Sequence, residues 1–156
     1  MKILIFIFAI TLLISGCATT YQKKTTWTIG HSETQLAENI FRVSYEGTEF
    51  TGNDRVIDYT LLRSAEVTIE NGYKYFAIIS EKSSVTTQTF SSPSTYHTYG
   101  NAISGYTTYA YGGGTYTNSY PSTTNTIMLF KEKPQQGIAY DAVFVATKIR
   151  EKYKIK

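Results

Sequence analysis

Residues 53–79 read Asn53-Asp54-Arg55-Val56-Ile57-Asp58-Tyr59-Thr60-Leu61-Leu62-Arg63-Ser64-Ala65-Glu66-Val67-Thr68-Ile69-Glu70-Asn71-Gly72-Tyr73-Lys74-Tyr75-Phe76-Ala77-Ile78-Ile79, and this stretch decides the fold class. At about 100° per residue, Ile57, Leu61, Leu62, Ala65 and Ile69 share one face of a helix, with Arg55, Arg63, Glu66 and Glu70 elsewhere. Thr51 with Asp54 three residues later resembles a capping box at the start, and Gly72 suits the left-handed residue that ends a helix. Tyr75 to Ile79 is a continuous apolar run, the pattern of a central strand. Working outward, Phe41, Val43 and Tyr45 alternate with Arg42, Ser44 and Glu46, as in a half-buried strand. Thr126-Ile127-Met128-Leu129-Phe130 reads as another strand. Beyond Pro134 and Gly137, Ala142, Ala146, Ile149 and Tyr153 recur at helical spacing with Asp141 as N-cap. Val143-Phe144-Val145 favours a strand there, and we prefer the helix. The expectation is an α+β domain: a small antiparallel or mixed sheet with one or two helices on one face.

The N-terminus has a different character. Lys2 precedes an apolar run, Ile3 to Ile14, broken by Thr11, and Ser15 and Gly16 follow. A charged start, an apolar middle and small residues make a secretory signal; a spanning helix needs about 20 apolar residues, more than this run holds. Leu13-Ile14-Ser15-Gly16-Cys17 resembles the lipobox of bacterial lipoproteins, with isoleucine where leucine is commoner. The resemblance implies a diacylglyceryl thioether on Cys17, cleavage after Gly16 and acylation of the new amine. Cys17 is the one cysteine of the 156-residue chain, so no disulfide can form within it. The expected organisation is a signal peptide at 1–16, a lipidated N-terminus and polar tether at 17–38, and one domain at 39–156. Ser32-Glu33-Thr34-Gln35-Leu36 is short and polar, and we assign it to the tether.

Residues 83–126 contain no Asp, Glu, Lys or Arg, and half of the 14 tyrosines lie between Tyr96 and Tyr120. Few aliphatics are present to build a core. The expectation is a flexible, low-complexity hairpin insertion at about 91–123, with residues 85–90 extending one strand and 124–131 returning as its partner. Three readings of it stand side by side: a solvated insertion; an adaptable binding surface, since tyrosine with serine and glycine suits such surfaces; and self-association through intermolecular β-structure. Tyr106, Tyr109 and Tyr111 are its candidate binding residues.

A wider resemblance rests on Ser32-Glu33-Thr34-x-Leu36, Asn39-x-Phe41-Arg42-Val43, Asp58-Tyr59-x-Leu61-Leu62-Arg63-x-Ala65-Glu66 and Asn71-Gly72-Tyr73-x-Tyr75-Phe76. Over residues 30–80, and more weakly at Tyr140-Asp141-Ala142, the chain resembles a family of small proteobacterial lipoproteins. The resemblance implies lipoprotein status and a shared fold, and it carries no catalytic residues.

No catalytic constellation emerges. His31 and His97 lie far apart without a companion at metal-ligand spacing, and both read as exposed polar residues. Gly112-Gly113-Gly114 lacks the lysine of a phosphate loop. No cofactor is implied. The net charge of +3 lacks the dense basic patch of a nucleic-acid binder. Asp58 falls within the expected apolar face; either the helix N-terminus accommodates it, or it is a ligand-binding carboxylate in a pocket. The functional expectation is a non-enzymatic envelope binding module at the periplasmic face of the outer membrane. It would be held by lipid on Cys17 and would contact an envelope protein or cell-wall glycan. The alternatives are a periplasmic enzyme with an unrecognised site or a structural envelope component.

Overall fold

The computed structural model describes residues 20–101 and 105–156; Cys17 and the expected signal peptide lie outside the described residues. The elements in chain order are β1 (His31–Ala37), β2 (Ile40–Glu46), α1 (Asn53–Glu70), β3 (Tyr75–Asn101), β4 (Gly105–Phe130), β5 (Tyr140–Asp141) and α2 (Ala142–Tyr153). The strands form one sheet in the order β1-β2-β4-β3-β5, with every neighbouring pair antiparallel. Both helices cover one face, so the domain is α+β. Phe41 and Val43 of β2, Phe76 of β3 and Ile127 and Leu129 of β4 meet Leu62, Ala65 and Val67 of α1 and the Ala142, Ala146 and Ile149 stripe of α2.

Local signals set the helix ends. Asp141 caps α2, its Oδ1 accepting from the Phe144 N–H at 2.9 Å. Gly72, at φ +74°, closes α1: the Gly72 N–H donates to the Ile69 carbonyl and the Tyr73 N–H to the Thr68 carbonyl, the two bonds of a Schellman motif. The expected capping box does not form. The N-cap is Gly52, without a side-chain cap bond, and the Thr51 hydroxyl instead accepts from the Thr48 N–H at 2.9 Å.

The buried face of α1 is rotated from the expected one. Ile57 and Leu61 are half-buried and Ile69 is exposed, whereas Val56, Thr60, Ser64, Val67 and Thr68 are buried. The hydroxyls of Thr60, Ser64 and Thr68 each donate to the carbonyl four residues earlier, at 2.8, 2.8 and 2.7 Å. A hydroxyl bonded within its own helix enters the core without an unsatisfied group, so a hydrophobic pattern that counts it as polar misplaces the face.

Three further expectations are corrected. The 75–79 run is not central: β4 lies between β2 and β3, and β3 has only the two residues of β5 beyond it. A bulge between Ile78 and Ser80 leaves Ile79 exposed. The tether does not reach residue 38. His31–Ala37 is an edge strand paired to β2, and residues ahead of it strap across the same end: the His31 N–H donates to the Gln22 carbonyl at 2.9 Å and the Lys24 N–H to the His31 carbonyl at 2.7 Å. Gly30 is required there, since a Cβ would stand 2.1 Å from the Gln22 carbonyl oxygen.

The third correction concerns the insertion. Residues 124–130 return not on 85–90 but on 75–82, and 85–101 pair with 105–121 in an unbroken register. Past Ser122, where β2 ends its pairing, a two-stranded ribbon runs on alone for about 55 Å at roughly 3.3 Å per residue. Both faces are solvent-exposed along most of it. Threonine and tyrosine favour extended backbone without needing a core. Hydroxyl pairs link the strands at Ser83–Thr123 (3.0 Å), Ser84–Ser122 (2.9 Å) and Thr98–Thr108 (2.8 Å). Composition argued against a packed interior, and a ribbon does not require one.

Candidate functional site

Two groups of side chains stand out: a buried ion cluster under the N-terminal strap, and the aromatic tip of the ribbon. The cluster grows from α1. Arg63 and Glu66, one turn apart, point toward β1 and α2. The Arg63 guanidinium donates to Glu33 at 3.2 Å, to Glu66 at 3.2 Å and to both oxygens of Glu70 at 2.8 and 2.9 Å. Glu66, almost fully buried, also accepts from Arg150 of α2 at 2.7 Å and from the Tyr21 hydroxyl at 2.5 Å. Tyr21 stacks on His31 at 5.0 Å and meets Tyr59 edge-on at 5.3 Å, and Tyr59 in turn meets Tyr45 and Tyr153 at 5.0 and 5.2 Å. The Tyr45 hydroxyl donates to the Thr20 carbonyl at 3.2 Å. The strap is thus fixed from Thr20 onward.

Electrostatics make this cluster a clamp. Burial alone would raise the pKa of Glu66, but hydrogen bonds from Tyr21, Arg150 and Arg63 outweigh it and hold the carboxyl below its usual range. Glu33 behaves likewise through Arg63. Burial and Glu66 push the Tyr21 hydroxyl well above the ordinary tyrosine range. His31, expected to be exposed, is buried. Its pKa is lowered by burial and by Arg63, against the pull of Glu33 and Glu66. Among the described residues its Nδ1 has no hydrogen-bond partner, the Glu33 carboxylate lying 3.6 Å away. A carboxylate held ionised by three donors is a weak base, and the Arg63 guanidinium commits four of its five N–H donors to carboxylates.

These shifts fix a pH response. A histidine with a depressed folded pKa and carboxylates with depressed folded pKa values all contribute stability at neutral pH that is lost on acidification. Melting temperature should begin to fall as pH drops through about 6.5, where unfolded histidine takes up a proton. It should fall again below about 4.5, where unfolded glutamate takes up protons that folded Glu33 and Glu66 still refuse. His31→Gln should remove the upper step alone; a flat profile from pH 7 to 5 in the parent protein would show that His31 carries no such linkage.

The sequence-predicted residues fall elsewhere. Asp58 lies in the second turn of α1 and not at the helix end: its Oδ2 accepts from Lys152 at 2.6 Å and from the Tyr153 hydroxyl at 2.7 Å, tying α2 to α1. Tyr109 and Tyr111 share a ribbon face with His97 and Tyr99, with ring centroids 5.5 to 6.4 Å apart. Tyr106, opposite Gly100 in the register, faces the other way with Tyr96, opposite Ala110. All five tyrosines are more than half exposed. No family model, curated protein or solved structure matches the chain. Tyr21, Glu33 and Glu66 were not among the candidate site residues read from sequence, because their partners come from β1, α1 and α2 at once. Among the described residues no group of three or more His, Asp or Glu is placed to hold a metal ion, and no helix is long and apolar enough to cross a membrane.

Proposed function

We propose that the protein is a lipid-anchored bacterial envelope module without enzymatic activity, whose contacts are made by the tyrosine-bearing ribbon. One observation carries this reading: an uncharged ribbon with tyrosines exposed on both faces leaves the body at the end where the strap begins. Thr20 lies in one cleft with Arg55, Tyr59 and Lys154–Lys156, and Tyr45, which binds Thr20, pairs with Thr123 at the ribbon's base. Two residues, Ala18 and Thr19, separate Thr20 from Cys17, three Cα steps with a reach of at most about 11 Å. Lipid on Cys17 would therefore hold the ribbon's root against the membrane, with Trp27, 93% exposed on the adjoining turn, suited to its interface. The partner classes are envelope proteins and cell-wall glycan, whose sugar faces stack on aromatic rings. The outer membrane is the expected location, by resemblance to lipoproteins without aspartate after the acylated cysteine.

The test has two arms. Labelled fatty acid should be incorporated by the parent chain and not by Cys17→Ser, which should leave the membrane fraction; incorporation by the variant would refute the anchor. Replacing residues 85–121 with an Asn-Gly turn between Ser84 and Ser122 should shift the melting temperature by less than about 4 °C. The same change should abolish the in-cell formaldehyde crosslinks that the parent chain makes to the partners captured by a photoreactive residue at position 109. Crosslinked partners that survive on the shortened chain would assign contact to the body instead.

A further inference from the structure

Residues 85–101 and 105–120 bond along their backbones only to each other. Each strand therefore carries an outer row of N–H and C=O groups with no protein partner among the described residues. Natural sheets guard such edges with lysine, inward-pointing charge, proline, short length or a covering element. This ribbon has no charged residue, and between residues 86 and 120 its one proline is Pro93. Pro93 sits mid-ribbon beside Gly113, where Gly112 and Gly113 both take φ +74°. It divides each edge into a base half and a tip half and leaves both open. Isolated two-stranded ribbons are marginal in water, so a third strand satisfies polar groups that the ribbon alone leaves to solvent.

We propose that these edges pair with the same ribbon of a second copy of the chain, extending the sheet between molecules. A second copy presents a strand of equal length and matching neutrality, so no like-charge repulsion opposes approach. An antiparallel edge pair is self-complementary about a twofold axis. A charged partner would find no ion pair along this edge, and a glycan would use the tyrosine faces rather than the edges. The inference rests on the lipid-anchored reading in one respect: anchoring confines copies to a surface with their ribbon roots at one level, which raises their effective concentration.

The experiment uses the full-length acylated protein in phosphatidylethanolamine–phosphatidylglycerol vesicles. Acylation occupies Cys17, so a cysteine introduced at Thr108, Thr115, Thr117 or Ser119 is the one free thiol. Mild oxidation should give an interchain disulfide at the position nearest the twofold axis, with yield falling off along the strand on either side. Thr95→Lys with Thr107→Lys should cut their yield about tenfold, since like charges would meet between copies. Thr95→Gln with Thr107→Gln should retain it, and the melt of the body should be unchanged in both. Absence of interchain disulfide at every position, or equal yield in the lysine variant, overturns the proposal. If disulfides are absent while crosslinks from position 109 still capture a glycan or another protein, self-pairing fails and the ribbon-contact reading stands; if both are absent, both fail.

Discussion

Leu62→Asp is expected to abolish cooperative folding. Leu62 is fully buried in the cluster formed with Phe76, Ile127, Leu129 and the α2 stripe. Aspartate there must either ionise without a partner or bind a proton at neutral pH, and nothing apolar replaces the lost contacts. The combined cost is at least about 5 kcal/mol, at the extreme of single substitutions. That matches much of the 5–15 kcal/mol that holds a typical domain together. Leu61→Asp is the control. Leu61 is half-buried, so a carboxylate at that position keeps contact with water, and a cooperative transition at lowered temperature is expected. Circular dichroism melts of the two variants decide the helix phase: equal losses, or a greater loss at position 61, would show that α1 turns its other side to the sheet.

That contrast shows where the sequence was legible. The α1 boundaries, its Gly72 terminus, the Asp141 cap and the inward Phe41, Val43 and Tyr45 were readable because each depends on neighbours in sequence. The rotation of α1 was not, because Thr60, Ser64 and Thr68 hide their polarity in bonds to their own helix. β1 was missed because Glu33 and Thr34 look solvated until Arg63 arrives from α1. The ribbon was half legible: the hairpin and its lack of charge were plain, but composition was weighed as core-forming capacity, when local strand propensity and cross-strand hydroxyl pairs were the relevant terms. Of the candidate binding residues, Tyr109 and Tyr111 lie together on one ribbon face, their rings 6.4 Å apart. The clamp on Tyr21 and Glu66 was invisible, since it joins positions 45 and 84 residues apart.

Glu66→Ala should cost about 3 kcal/mol and release the strap. Removing one member of a buried ion pair typically costs about 3–5 kcal/mol, because the partner charge is stranded. Two features place this site at the lower end. Arg63 keeps Glu33 and Glu70, and the Arg150 side chain is 45% exposed, so water can solvate it. The Tyr21 hydroxyl loses its acceptor in a half-buried site, and an unsatisfied group of that kind accounts for about 1–3 kcal/mol of that total. Glu66→Gln, which keeps an acceptor and the volume but not the charge, should fall between parent and alanine. The strap supplies a second readout. Lys23 and Lys24 lie just beyond Tyr21, and the Lys24 N–H is bonded to the His31 carbonyl. Loss of the Tyr21 contact should loosen that bond and speed trypsin cleavage after these lysines well before the body unfolds. A large drop in melting temperature without faster cleavage would place the energy of Glu66 in the union of α1 with α2 through Arg150. Faster cleavage with little loss of melting temperature would place it in the strap.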